Sequence, residues 1–225
     1  MTAAPKATLL PVYVLADESQ SMGAHLLDLN RGLAELHEAL LGQPMAAAKV
    51  RFSIIGFADD VRERMRLADL RRTDHLPGLI SRGRTNYAEV FADLRHRLHA
   101  DVGSLKQEGF AVYRPAVFML TDGQPNDNAW RTPYRELIDR DSTPEAPNII
   151  AFGVGSVRAD VILRLATRPE FAFVALAGID VGSAIARFCT ALTHSIIHSV
   201  RARGPGAPRL VVQQPDGFEM AIDVV

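Results

Sequence analysis

Asp17, Ser19 and Ser21 place oxygen-bearing side chains at every second position directly after the apolar run Leu9 to Ala16. Where a buried strand ends, three such side chains can converge on one point. One carboxylate and two hydroxyls suit a hard divalent cation, since Mg²⁺ takes oxygen ligands in near-octahedral geometry and usually keeps several of its waters. The trio is a partial cage, so further oxygens must come from elsewhere. Thr85 in Gly83-Arg84-Thr85-Asn86 and Asp122 in Thr121-Asp122-Gly123, after the apolar run Val117 to Leu120, are the candidates. Each is expected where a loop meets a strand end or a helix start, the edge on which open α/β sheets gather their ligands. A cheaper reading of Asp-x-Ser-x-Ser is a helix cap, in which Ser19 or Ser21 accepts a backbone N–H from the start of the next helix.

The elements that must position these groups follow from periodicity. Short β-rich apolar runs alternate with longer helical patterns, which predicts a Rossmann-like, doubly wound α/β sheet, mostly parallel and covered by helices on both faces. Strands are predicted at Pro11–Leu15, Val50–Phe57, Ala116–Leu120, Asn148–Val154 and Phe171–Leu176. Val61–Leu70, with Arg62, Arg64 and Arg66 at alternate positions, reads as a half-exposed antiparallel edge strand with a solvated basic row, making six strands. Leu26, Leu29, Leu33, Leu36 and Leu40 form one apolar helix stripe. A second helix is expected from Tyr87 through Leu98, capped by Thr85 or Asn86, with short ones at Pro133–Asp139 and Val161–Ala166 and a long one at Val181–Arg201. Gly204-Pro205-Gly206-Ala207-Pro208 then breaks the pattern, dividing the chain into a domain over 1–203 and an extension over 204–225. In that extension Pro215-Asp216-Gly217 separates Leu210–Val212 from the alternating Phe218, Met220, Ile222 and Val224, a terminal hairpin expected outside the main sheet.

Composition bounds the function. The chain has 225 residues, 48% hydrophobic and 23% charged, with a formal net charge of -1, so no basic field points to nucleic acid or an anionic membrane. Its single cysteine, Cys189, lies in the apolar pattern of the last helix and is expected to be a buried thiol. The N-terminal residues carry no long apolar stretch and no run is long enough to span a bilayer, so a cytoplasmic protein is expected. His194 and His198, four residues apart with no acidic residue between them, read as a structural or surface pair. Asp59 and Asp60 read as loop solvation, whereas Asn126 and Asp127 could shape a rim beside Asp122. Gly153-Val154-Gly155 lacks the third glycine of a dinucleotide fingerprint and reads as strand-end turn chemistry.

The order strand, Asp-x-Ser-x-Ser, then Gly-x-Thr, then strand and Thr-Asp-Gly closely resembles a von Willebrand factor A domain over roughly residues 9 to 200. The resemblance implies a metal-ion-dependent adhesion site in which Asp17, Ser19, Ser21, Thr85 and Asp122 surround Mg²⁺, with Mn²⁺ or Ca²⁺ as substitutes, some directly and some through water. Glu18 and Gln20 stand where a Thr and a Gly are more usual; Gln20 restricts the backbone and Glu18 adds negative charge near the site. The opening Leu10-Pro11-Val12-Tyr13-Val14-Leu15 looks most like the TerY-type branch of bacterial intracellular A domains in tellurite-resistance and stress clusters. That branch implies an adaptor or scaffold with a protein kinase and a PP2C-like phosphatase as partners.

Two aspartates balance a divalent charge and leave the ion one ligand short, so an acidic side chain of a partner protein is the expected sixth ligand. A subunit of an AAA+ chelatase or chaperone machine is the alternative role. Catalysis is disfavoured. A haloacid-dehalogenase-like phosphotransferase needs an Asp where Ser19 stands, and neither a phosphate-binding loop nor a Gly-x-Ser-x-Gly elbow occurs. Metal-dependent phosphoester hydrolysis would have only Glu18 to act as acid or base.

Overall fold

The computed structural model describes residues 4–123, 129–201 and 210–221. In chain order the strands are β1 (Thr8–Asp17), β2 (Val50–Phe57), β3 (Val61–Ala68), β4 (Ala111–Val112), β5 (Ala116–Thr121), β6 (Asn148–Gly153), β7 (Ala172–Ala175) and β8 (Phe218–Met220). The α-helices are α1 (Leu26–Leu41), α2 (Pro44–Ala47), α3 (Tyr87–Gln107), α4 (Arg131–Ile138), α5 (Ala159–Leu165) and α6 (Val181–Arg201). All six strands predicted for the sheet are present, β4 is an additional short one, and β8 falls in the alternating stretch expected from Phe218.

The sheet runs β3-β2-β1-β5-β6-β7-β8, with β4 paired to the start of β1. Its centre is parallel, and both edges are antiparallel, β3 on β2 and β8 on β7. From β1 the chain moves first to β2 and later returns to the opposite side at β5, so β1 and β5 flank the point where strand order reverses. A crevice opens there beyond the carboxyl ends of the strands. Along β1 residues of both parities are buried, as a strand covered on its two faces requires. Tyr13, fully buried within it, keeps its hydroxyl satisfied by donating to Asp101 Oδ2 on α3 at 2.8 Å.

The leucine stripe forms α1, which packs against α6, while α3 packs against α4. The α1–α6 contact is close because Gly32 lies under Cys189; a Cβ at Gly32 would come within 2.5 Å of the Cys189 sulfur. Cys189 is buried as expected, and burial pushes its thiol up to about 12.

β3 stops at Ala68, short of the expected Leu70. The register slips around Ile54, and Leu70 instead turns into a 3-10 helix, Leu70–Arg72, that buries it. The C-terminal strand pair is made with β7 rather than within the tail. Phe218 is buried against Phe152 at 6.0 Å between ring centroids, so β8 extends the main sheet where β7 would otherwise be an open edge. Leu210–Val212, expected as the other arm of a hairpin outside that sheet, runs along α6, where the Ser199 hydroxyl accepts from Val211 N–H at 2.9 Å. Ile222, Val224 and the stretch from Gly204 to Pro208 lie outside the described residues.

Candidate metal centre

Asp17 is the last residue of β1 and is fully buried. Its Oδ1 accepts from Ser19 N–H at 2.9 Å, and its Oδ2 accepts from the Thr121 hydroxyl at 2.5 Å. Asp122 follows the end of the neighbouring β5, so two carboxylates meet at the reversal point of the sheet. Burial holds the Asp17 carboxyl above the usual range despite these hydrogen bonds, and the Asp122 charge pushes it the same way. Among the described residues, neither aspartate forms an ion pair with a Lys, Arg or His. A buried carboxylate with a like charge beside it and no basic partner is electrostatically a place for a cation.

The hydroxyls complete the set. Ser21 Oγ donates to Asp122 Oδ1 at 2.8 Å; its own oxygen then accepts from Ser19 Oγ at 3.0 Å. Neither serine acts as a helix cap. Ser19 precedes a 3-10 helix, Gln20–His25, without a side-chain cap bond, and the residue before α1 is His25. Thr85 is buried in the second loop, next to Asn86, whose side chain caps α3 by accepting from Glu89 N–H at 3.2 Å. Gly123 roofs the gap between loops: a Cβ there would lie 2.8 Å from Thr85 Oγ1 and 3.4 Å from Asp17 Oδ2. The structure thus brings Asp17, Ser19, Ser21, Thr85 and Asp122 to one sheet edge. The donors are two carboxylates and three hydroxyls, hard oxygens that fit Mg²⁺ or Mn²⁺. Among the described residues no group of three or more His, Cys, Asp or Glu side chains is placed to hold a metal.

Thr121, part of the Thr-Asp-Gly motif, and Tyr87, the first residue of α3, support the site without being among the five expected ligands. Thr121 has one hydroxyl proton, committed to Asp17, and its oxygen accepts from Gly123 N–H at 3.0 Å. The Tyr87 hydroxyl, 2.9 Å from both Thr121 Oγ1 and the Gly123 carbonyl, therefore has its one proton shared between these two acceptors. Its ring meets the edge of Trp130 at 6.3 Å and 89°, within a cluster that includes Phe91 and Tyr134. The Trp130 indole N–H is buried and, among the described residues, has no hydrogen-bond partner.

Several surrounding residues depart from expectation. Glu18 is not a loose charge beside the site: its side chain is fully buried and held by Arg64 and Arg82. Arg62 and Arg66 are exposed, at 57% and 89%, as a solvated row requires, but Arg64 between them is only 16% exposed because it turns to Glu18. Asp59 and Asp60 do more than solvate a loop. Asp59 Oδ1 accepts from Arg84 N–H at 2.9 Å, and Asp60 pairs with Arg62 and Arg82. His194 and His198 are exposed, with ring centroids 6.5 Å apart. Gly155, at φ +66, makes the left-handed turn after β6 that passes Asp122. Asn126 and Asp127 lie outside the described residues.

A sequence profile of the von Willebrand factor type A domain matches residues 12–178. The chain belongs to that family. No curated protein sequence matches it significantly. Among solved structures, the pilus adhesin SpaC from Lactobacillus rhamnosus GG, in an open conformation, is similar with a TM-score of 0.65 at 12% identity, covering 86% of this chain and 30% of the adhesin chain. Proximal thread matrix protein 1 from the mussel byssus, in a form with a zinc-occupied metal-ion-dependent adhesion site, gives a TM-score of 0.60 at 16% identity, covering 86% of this chain and 49% of the other. A von Willebrand factor type A protein from Catenulispora acidiphila gives 0.55 at 13% identity, covering 98% and 56%. At these identities the likeness is one of fold, and this chain spans little more than half, or less, of each solved chain.

Proposed function

We propose that this A domain is a divalent-metal-dependent protein-interaction module, with Asp17, Ser19, Ser21, Thr85 and Asp122 holding Mg²⁺ and a partner's Asp or Glu completing the shell. The observation that carries the reading is the fully buried Asp17 carboxylate, next to a second aspartate and three hydroxyls and, among the described residues, without a basic partner. Asp17 and Asp122 supply the charge that holds the ion; the serines and Thr85 supply neutral oxygens. When bound, the ion supplies an electrophilic position for one more anionic oxygen.

The chain itself contributes a preset cradle. Thr121 and Ser19 fix both oxygens of Asp17, and Gly123 leaves room for Thr85. The finer setting in this proposal is a bacterial cytoplasmic stress or tellurite-resistance-like system, as adaptor between a kinase and a PP2C-like phosphatase. Its support is the resemblance of the Leu10–Leu15 opening to the TerY-type branch. No helix among the described residues is long and apolar enough to cross a membrane. Service in an AAA+ machine is the competing assembly. Phosphoester hydrolysis is disfavoured because both oxygens of Glu18, the one acid or base expected for it, are occupied by guanidinium groups.

Calorimetric titration of Mg²⁺ or Mn²⁺ into the purified chain tests the site. Wild type should take up one ion, and Asp17→Ala and Asp122→Ala should lose at least about tenfold in affinity. A partner captured equally well in EDTA and in Mg²⁺, or by both variants, contradicts the proposal. The identity of a co-purifying protein, kinase and phosphatase or ATPase, separates the two assemblies.

A further inference from the structure

Residues 73–86 contain neither helix nor strand, yet they deliver Thr85 to the candidate metal centre. Holding such a segment in one conformation costs entropy at every residue. Asn30 anchors it at Leu79, its Oδ1 accepting from Leu79 N–H at 2.8 Å and its Nδ2 donating to the Leu79 carbonyl at 3.1 Å, and nearer Thr85 several bonds meet at Glu18. Arg82 N–H donates to the Glu18 carbonyl at 2.6 Å, and Gln20 N–H donates to the Gly83 carbonyl at 3.0 Å, so the second loop is zipped to the first. Arg84 N–H is held by Asp59 Oδ1, and Asn86 N–H by the Ala58 carbonyl at 2.9 Å, which brackets Thr85 on both sides.

The Glu18 side chain repeats the tie at greater strength. Its Oε1 accepts from Arg64 Nε at 2.8 Å and from Ile80 N–H at 3.2 Å, and its Oε2 accepts from Arg64 Nη2 at 2.9 Å and Arg82 Nε at 2.7 Å. The Arg82 guanidinium continues to the carbonyls of Gly56 and Asp60 at 3.2 and 3.3 Å. A side chain at position 56 would displace the whole arrangement, since a Cβ there would stand 2.4 Å from the Glu18 carboxyl carbon. One buried carboxylate therefore joins the first loop, the edge strand β3 and the second loop. The planar fork of Arg64 spans both of its oxygens, and Arg82 binds Oε2 through Nε while its other end reaches the Gly56 and Asp60 carbonyls, which fixes direction as well as distance.

We propose that Glu18 is a positioning residue for the metal site: through Arg82 it clamps residues 80–84 to the first loop and so presets Thr85 beside Asp17. This rests on the metal reading of the five oxygens. Arg82 lies three residues from Thr85 in the same loop, whereas Arg64 belongs to β3 and supplies charge and packing from outside. The two arginines are thus unequal in their effect on the site, although both touch Glu18.

The test compares wild type, Glu18→Gln, Arg82→Lys and Arg64→Lys as full chains, by Mn²⁺ calorimetry well below each unfolding temperature and by hydrogen exchange at the Arg84 and Asn86 amides. Lysine keeps the charge and removes the fork, so both lysine variants remain informative where Glu18→Gln fails to fold. Leu98→Ala, a core truncation on α3, controls for lost stability alone. The expected result is about a tenfold or greater loss of Mn²⁺ affinity in Glu18→Gln and Arg82→Lys, a smaller loss in Arg64→Lys and none in Leu98→Ala. Exchange at both amides should rise in the same order. Affinities within twofold of wild type in every folded clamp variant overturn the proposal, whether or not exchange rises. Absence of Mn²⁺ binding by wild type defeats the reading of the site itself, and the clamp is then decided by exchange, with unchanged rates overturning it.

Discussion

At the level of single residues, the site is an aspartate forced into the protein interior and surrounded by hydroxyls. Thr121 shows how much of that design lies outside the five proposed ligands. It donates to Asp17 and receives the Gly123 amide, so it sets both the orientation of Asp17 and the position of the glycine roof. Thr121→Val, equal in shape, leaves that amide without its acceptor and should cost about 1–3 kcal/mol by urea denaturation in EDTA. Loss of a group that orients a ligand should also weaken Mg²⁺ binding about 10–100-fold by calorimetry. Unchanged affinity would show that Asp17 orients itself. The five oxygens could be found from sequence because each is a donor type in a short motif at a strand or helix end. Thr121 stood in the Thr-Asp-Gly motif, but its bond to Asp17 was not legible, because the two residues are 104 positions apart. The Glu18 pairs were hidden for another reason: Arg64 and Arg82 lie 46 and 64 residues away along the chain.

At the level of elements, periodicity located the helices and central strands because each buries a regular stripe or a continuous run. β2 and α6 occupy the predicted spans, and the other strand and helix ends shift by a few residues, α3 running on to Gln107. The alternation from Phe218 marked β8 as a strand, but its pairing was not legible, because its partner β7 lies on the far side of α6 in sequence. What no pattern announces is the intimacy of α1 and α6 at Gly32. In Gly32→Ala the new methyl group collides with the Cys189 sulfur, and the helices must part or twist, at a cost of about 1–3 kcal/mol. Cys189→Ala in the same chain should recover most of that loss, and a double-mutant cycle on unfolding free energies measures the coupling. Additive effects would mean that the helices do not meet there in solution.

For the molecule as a whole, the buried Tyr13–Asp101 pair adds a pH dependence to folding. Burial pushes the Asp101 carboxyl above the usual carboxylate range, more than the Tyr13 hydrogen bond pulls it down. A group that binds its proton more tightly when folded contributes stability that is complete below its unfolded pKa of about 3.9. That contribution disappears as pH rises through the folded value. Asp101→Asn cannot titrate, so its stability relative to wild type should improve from about pH 3 towards neutrality, and parallel curves from denaturation at a series of pH values would contradict this. The aromatic cluster beside the five oxygens has a practical outcome. Because the chain has one tryptophan, Trp130, and its indole leans on the ring of Tyr87, its emission comes from a single place next to the cradle. Occupancy of that cradle should then be readable as a change in intrinsic fluorescence without any label, and Tyr87→Phe should mute the signal while Trp130 continues to glow.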